Sequence, residues 1–270
     1  MIRIALIGAG RMGGAMLRGW MASSAALSFV LVAPAPGAEI EALAAEGKLA
    51  LNPDPLLIGP ADVVVLAVKP QTFAQAAPSA RLFVGRHTLV ISIMAGVSLA
   101  AIGEKMGADK VVRAMPNTPG AIGQGVTSLV LVPDLAEPDA ALARDLLAPL
   151  GLVETLETER LMDAATAVAG CGPAYVFLLA EVMAKAGEAE GLEPDLAMRL
   201  AIETIAGAGA LMRESGEDPA ALRRAVTSPQ GVTAVALDAL MDGGGIGGLF
   251  RRAISKAVQR SRELGREASR

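Results

Sequence analysis

Cysteine occurs once in this chain of 270 residues, as Cys171, and histidine once, as His87. One cysteine excludes an internal disulfide framework and a cysteine-based zinc site. One histidine argues against a histidine-rich metal centre and against Ser-His-Asp catalysis. No metal is therefore expected. Aromatic residues are 3% of the chain, too few for an aromatic binding face. The net charge of −4 gives no overall attraction to nucleic acid or to an anionic membrane. Basic residues gather only from Arg251 to Arg270, where Glu263 and Glu267 interleave with them and no aromatic accompanies them. That tail reads as a solvated helix face.

An unbroken apolar run of spanning length is also missing. Residues 19–38 carry no charge but contain serines, Pro34 and Pro36. Residues 164–180 carry none either, but Gly170-Cys171-Gly172-Pro173 is expected to break them. A spanning helix needs about 20 predominantly apolar residues. The N-terminal apolar run is short and ends in a glycine turn with Arg11, unlike a signal peptide. The expectation is a soluble, cytoplasmic protein without a membrane or nucleic-acid partner.

What is present begins at residue 2. Ile2–Ile7 is a short apolar run with β-branched residues, the mark of a buried strand. Gly8-Ala9-Gly10-Arg11-Met12-Gly13 follows at once and fits G-x-G-x-x-G. Ala15, Met16, Leu17 and Trp20 then recur at helical spacing. A strand, a glycine turn and a helix start are the context of a dinucleotide-binding turn. There Gly8 permits the tight turn, Gly10 lets backbone N–H groups approach a pyrophosphate, and Gly13 lets helix and strand pack closely. The helix end adds partial positive charge.

Further strands are expected at Phe29–Val32, Asp62–Val68, Leu89–Ile93, Val111-Val112 and Ser128–Val132. Helices are expected at Glu39–Glu46, Ser98–Met106 and Ala140–Leu150. The alternation predicts an α/β, doubly wound, Rossmann-like domain over residues 1–157. From Thr158 no strand is expected. Leu161–Ala169, Ala174–Glu190, Leu196–Glu214, Pro219–Val226, Thr233–Met241 and Leu249–Leu264 read as helices, giving an all-α domain over 158–270. Helices this apolar predict an interface with a second subunit.

Four loops have the composition of a site. The glycine turn is the first. Ala67-Val68-Lys69-Pro70 ends an apolar strand, where Lys69 would meet a phosphate or a substrate carboxylate. Ala114-Met115-Pro116-Asn117-Thr118-Pro119-Gly120 is a stiff loop with polar tips. Thr227-Ser228-Pro229-Gln230-Gly231-Val232-Thr233 runs into a helix, which makes it an anion cradle or an ordinary N-cap. After the second strand, Ala33-Pro34-Ala35-Pro36 lacks the acid that an NAD site places on the ribose hydroxyls. That tilts the cofactor towards NADPH, with NADH the alternative.

These stretches together resemble the pyrroline-5-carboxylate reductase family. The resemblance rests on IGAGRMGGAM at the start, AVKPQTF at 67–73, ISIMAGVSL at 91–99, RAMPNTP at 113–119, AGCGPAYVF at 169–177 and AVTSPQGVT at 225–233. It implies NAD(P)H-dependent reduction of 1-pyrroline-5-carboxylate to L-proline by a homo-oligomer. A homodimer through the C-terminal helices is its minimum unit, and such enzymes often assemble into decamers. It assigns Gly8, Ala9, Gly10, Arg11, Met12, Gly13, Ala33, Pro34, Asp54, Ala67, Val68, Lys69, Pro70, Ala95 and Asn117 to the cofactor. Ser228 and Thr233 become the catalytic loop, with Gly231, Val232 and Thr233 on the substrate carboxylate. Glu159 would lie near the ring nitrogen. Gln230 stands where most members have Gly, and Cys171 where most have Ser. Cys171 reads as a small packed residue rather than a nucleophile.

The chemistry suits the missing histidine. A cyclic imine binds already protonated, so hydride addition needs no strong general acid. Two other readings are set against this one. A β-hydroxyacid dehydrogenase shares the domain plan but needs a lysine in its helical half, where Lys185 and Lys256 lack a suitable glycine-rich context. A non-catalytic nucleotide sensor would use the fold for regulation alone.

Overall fold

Ile2–Ile7 forms β1, and its last four residues are buried, as a central strand covered on both faces requires. Around it the computed structural model describes residues 1–23 and 25–268. The other strands are β2 (Leu27–Val32), β3 (Ala50–Leu51), β4 (Val63–Leu66), β5 (Leu89–Ser92), β6 (Val111–Pro116), β7 (Gly125–Leu131) and β8 (Gly151–Thr155). They form one sheet of eight strands in the order β3-β2-β1-β4-β5-β6-β7-β8. All neighbours are parallel except β6 and β7. The winding reverses between β1 and β4. Ligands of such sheets bind outside the strands' carboxyl ends at that point.

The helices of this part are α1 (Arg11–Ala22), α2 (Ala38–Ala45), α3 (Pro55–Ile58), α4 (Pro70–Arg81), α5 (Leu99–Met106), α6 (Glu137–Leu147) and α7 (Met162–Ala165). They cover both faces and split the core in two. Met16, Leu17 and Trp20 of α1 pack on one face with Leu146 and Leu147. Phe73, Phe83, Met94 and Met106 pack on the other. Trp20 is 2% exposed, stacks on Phe29, and donates its indole N–H to the Leu146 carbonyl at 2.7 Å. Trp20→Phe removes that donor and leaves a gap, so it should destabilise by about 2 kcal/mol. A lower urea midpoint at unchanged slope is the expected reading.

The remaining helices are α8 (Gly172–Ala189), α9 (Pro194–Ser215), α10 (Pro219–Ala225), α11 (Val232–Met241) and α12 (Ile246–Ala268). Among the described residues no strand follows Thr155. The compact units divide after Gly170: Met1–Gly170 with the chain from Ala257 on, and Cys171–Lys256. Met162 is 1% exposed within the sheet's second core layer, which ties the first turns after Thr158 to the sheet. In the helical unit α8 and α9 meet through Ala184, Ala197 and Ala201, while Phe177, Leu178, Val182 and Leu200 are exposed.

Three expectations need correction. The strand expected at Val111-Val112 continues to Pro116, so Ala114-Met115-Pro116 is strand rather than loop. Proline is tolerated there because it ends the strand, opposite Thr127. The Gly170-Cys171-Gly172-Pro173 break is also milder than expected. Thr166–Gly170 makes a π turn, and Pro173 sits in the first turn of α8, where its missing N–H is harmless. The 31 residues Glu159–Ala189 are therefore long and apolar enough to cross a membrane by length and composition, with a hydropathy of 1.6. Finally, β3 and β8 were not expected from the sequence at all.

Candidate active site

The glycine turn lies between β1 and α1. Gly8 has φ of +97° and donates its N–H to the Val32 carbonyl at 2.8 Å. A Cβ on Gly8 would stand 2.7 Å from the Ala67 carbonyl oxygen, and one on Gly13 would stand 2.6 Å from the Gly8 carbonyl oxygen. These two glycines therefore let β1, α1 and the end of β4 touch backbone to backbone. Gly10 differs: a Cβ there would meet nothing within 4 Å. It caps α1 without a side-chain hydrogen bond, and the first turn of α1 carries no acid. The first N–H groups of α1 have no intrahelical acceptor and sit at a positive helix end, which fits a dinucleotide pyrophosphate. Ala9, Gly10, Arg11 and Met12 line one wall of a cavity of about 510 Å³, with Gly37 and Thr118 among the others.

Ala67 and Val68 follow β4 at the same edge. Lys69 caps α4, and Pro70 opens it. Ala33 and Pro34 follow β2. Asn52, with φ of 46°, clamps Ala33: its side-chain oxygen accepts from Ala33 N at 2.8 Å and its amide donates to Ala33 O at 2.9 Å. Sequence reading missed Asn52, whose signal is long-range. Ala95 lies half-buried in the loop after β5, again at the carboxyl edge.

Three polar residues assigned to ligands also make hydrogen bonds within the fold. Asp54 accepts from Leu56 N at 2.9 Å and caps α3. The Asn117 oxygen accepts from Val126 N at 2.9 Å, while its amide donates to the Ala169 carbonyl in the π turn at 3.0 Å. Glu159 accepts from the Arg113 guanidinium at 2.8 Å and from Leu99 N at 2.9 Å. For Glu159 the geometry is that of an ion pair buried on the Arg113 side, the two side chains being 30% and 8% exposed. Both bonds fall on the same carboxylate oxygen, Oε1.

In the helical unit, Ser228-Pro229-Gln230-Gly231 is a tight turn closed by Gly231 N on Ser228 O at 3.0 Å. Gln230 has φ of 59°, a conformation natural to glycine, which costs other residues roughly 1–2 kcal/mol. A Cβ on Gly231 would run into the Ser228 hydroxyl. Gly231 caps α11 with no side-chain bond, and Val232 is 90% exposed. The Val232 and Thr233 N–H groups open the helix, where no intrahelical acceptor reaches them. Ser228, Gly231 and Thr233 thus sit together at an uncapped helix start. Elsewhere in this unit Tyr175 packs edge-on against Phe250. Partial burial, together with the Cys171 thiol, raises its hydroxyl above the ordinary range.

Both parts of the chain have counterparts among known proteins. A sequence model described as pyrroline-5-carboxylate reductase dimerisation matches residues 159–264, and one described as NADP oxidoreductase coenzyme F420-dependent matches residues 3–96. The chain is 37% identical to the pyrroline-5-carboxylate reductase of Pseudomonas aeruginosa, over 97% of its own length and 96% of that protein. This chain belongs to the pyrroline-5-carboxylate reductase family. The family member from Synechocystis is 36% identical over 98% of this chain and 99% of its own. Among solved structures, the family's Coxiella burnetii reductase superposes with a TM-score of 0.89 at 30% identity, covering 97% of this chain and 98% of that one. The Plasmodium falciparum member, solved with NADP bound, gives 0.81 at 27% identity, covering 98% of each.

Proposed function

We propose that this chain reduces 1-pyrroline-5-carboxylate to L-proline with NADPH. The likeness to reductases of that name along nearly the whole chain carries the reading. The two uncapped helix starts, at Gly10 and at Gly231, support it from the geometry. Gly8 to Gly13 would hold the pyrophosphate, with Ala33, Pro34 and Asp54 on the adenosine side. Ala67 to Pro70 and Ala95 would flank the nicotinamide, with Asn117 stiffening that edge rather than bonding the cofactor. NADPH is preferred over NADH because Asn52, a neutral side chain, holds the end of β2 where an acid would repel a 2′-phosphate.

The bound cofactor supplies a hydride; everything else falls to this chain. The N–H groups of Val232 and Thr233, with the Ser228 and Thr233 hydroxyls, grip the substrate carboxylate. C5 accepts the hydride while the C=N electron pair moves onto a nitrogen that already carries its proton. The product is a secondary amine, and no protein acid is required.

The apolar helices of Cys171–Lys256 pair with a second copy in a homodimer, the minimum unit, and a decamer is the larger assembly. The same surface accounts for the apolar run through α8 without a membrane. A cytoplasmic location agrees with the single free thiol, Cys171.

Loss of nicotinamide absorbance on adding the five-membered imine acid tests the activity. Oxidation of a 3-hydroxy acid in preference would make the chain a dehydrogenase, and NADPH binding without oxidation would make it a sensor. Thr233→Ala removes one bond to a charged group, so KM for the imine acid should rise about tenfold. KM for NADPH should stay within about twofold of wild type.

A further inference from the structure

The loop Ile93–Ser98 joins β5 to α5 at the sheet edge that carries the glycine turn. It contains no charged residue, yet it is held from several directions. Met94 and Val97 are buried, and Met94 N donates to Ser92 Oγ at 3.2 Å. Ser98 caps α5 by accepting from Ala101 N, and Glu159 accepts from Leu99 N. These contacts secure the base of the loop. At its tip, Gly96 lies against the last turns of α12, which belong to the same compact unit.

That cover is a backbone contact. Gly96 has φ of +76°, and a Cβ on it would stand 3.2 Å from Gly265 N. A Cβ on Gly265 would stand 2.8 Å from the Gly96 carbonyl oxygen. At Gly265 a methyl group has no room, and at Gly96 the left-handed backbone adds strain to a tight contact. The helix is held at this height by Asp163 of α7. Its carboxylate accepts from the Ser261 hydroxyl at 2.7 Å and lies 3.6 Å from Arg262 Nε. Met162, the neighbour of Asp163, is buried in the core, so the anchor itself is rigid.

We propose that the last turns of α12, through Gly265 and the Asp163–Ser261 bond, are a positioning element for the nicotinamide half of the cofactor. They fix the height of Ala95-Gly96 without touching the cofactor themselves. The inference rests on the reading above, in which a dinucleotide crosses the carboxyl ends of β1, β4 and β5. The adenosine and pyrophosphate contacts lie elsewhere, at β2 and the glycine turn. The element therefore acts on one half of the cofactor only.

Two ligands separate the halves: NADPH, and 2′-phospho-ADP-ribose, which lacks the nicotinamide. Titration calorimetry on the full chain should show Gly265→Val weakening NADPH about tenfold, equivalent to about 1.4 kcal/mol. Ser261→Ala, a milder change that keeps the glycine contact, should weaken it about threefold. Binding of 2′-phospho-ADP-ribose should stay within about twofold in both variants. In turnover, kcat should fall up to about a hundredfold in Gly265→Val, because misplacement by an ångström is that costly. KM for the imine acid should hardly move. Equal weakening of both ligands would reduce the contact to a general structural role, and unchanged NADPH binding in both variants would remove it altogether. The binding comparison needs no turnover. A wild-type chain that binds NADPH but reduces no imine would overturn the proposed activity and leave this test intact.

Discussion

Gly8→Val should leave the chain without a stable dinucleotide unit, while Gly10→Ala should leave it folded but poor at binding NADPH. The two positions lie two residues apart in one turn and fail for different reasons. At Gly8 the backbone is at φ of +97°, and a Cβ would press on the Ala67 carbonyl oxygen at 2.7 Å. The left-handed backbone and the overpacking together cost about 3–5 kcal/mol. Native stabilities are only about 5–15 kcal/mol, so the loss is a large fraction of the total. A fall in melting temperature of about 10 °C or more is expected. At Gly10 a methyl group meets no protein atom, and an alanine cap costs about 1 kcal/mol or less relative to glycine. Its methyl would instead occupy the space through which a pyrophosphate reaches the N–H groups, weakening NADPH on the order of tenfold or more. Wild-type NADPH affinity in Gly10→Ala would show that the turn does not hold the cofactor.

Glu159→Ala should destabilise by about 3 kcal/mol, at the lower end of what breaking a buried ion pair costs. Arg113 lies in β6 with its side chain 8% exposed, and Glu159 accepts from it at 2.8 Å. The same oxygen accepts from Leu99 N at the start of α5. Removing the carboxylate strands a guanidinium in the core and leaves an amide unpaired. The Glu159 side chain is 30% exposed, so water softens the loss. Glu159→Gln keeps a neutral acceptor and should recover about half of it. The family resemblance offers a different expectation, with Glu159 acting at the substrate's ring nitrogen. In that case Glu159→Gln would lower kcat at unchanged melting temperature. Measuring both quantities on the two variants decides between a strut of the fold and a substrate contact.

Local demands of the chain were readable. The spacing of Gly8, Gly10 and Gly13 after an apolar strand placed the turn, and the helix start at Pro219 was read directly. The short strands were not. Ala50-Leu51 and Gly151–Thr155 have little strand character of their own and exist because β2 and β7 offer them edges. The bond from the Asn117 amide could not be read from its loop, because the π turn that accepts it lies 52 residues away.

By itself, the sequence determined an α/β dinucleotide unit followed by apolar helices. That follows from spacings within single elements, where backbone geometry permits few residues; the family came instead from the likeness of whole motifs. Only the tertiary structure decided which distant polar side chains meet. It paired Glu159 with Arg113 across 46 residues and Ser261 with Asp163 across 98. It also seated Gly265 on Gly96. Such pairings depend on where the winding of the sheet brings distant segments together, and no local pattern records that.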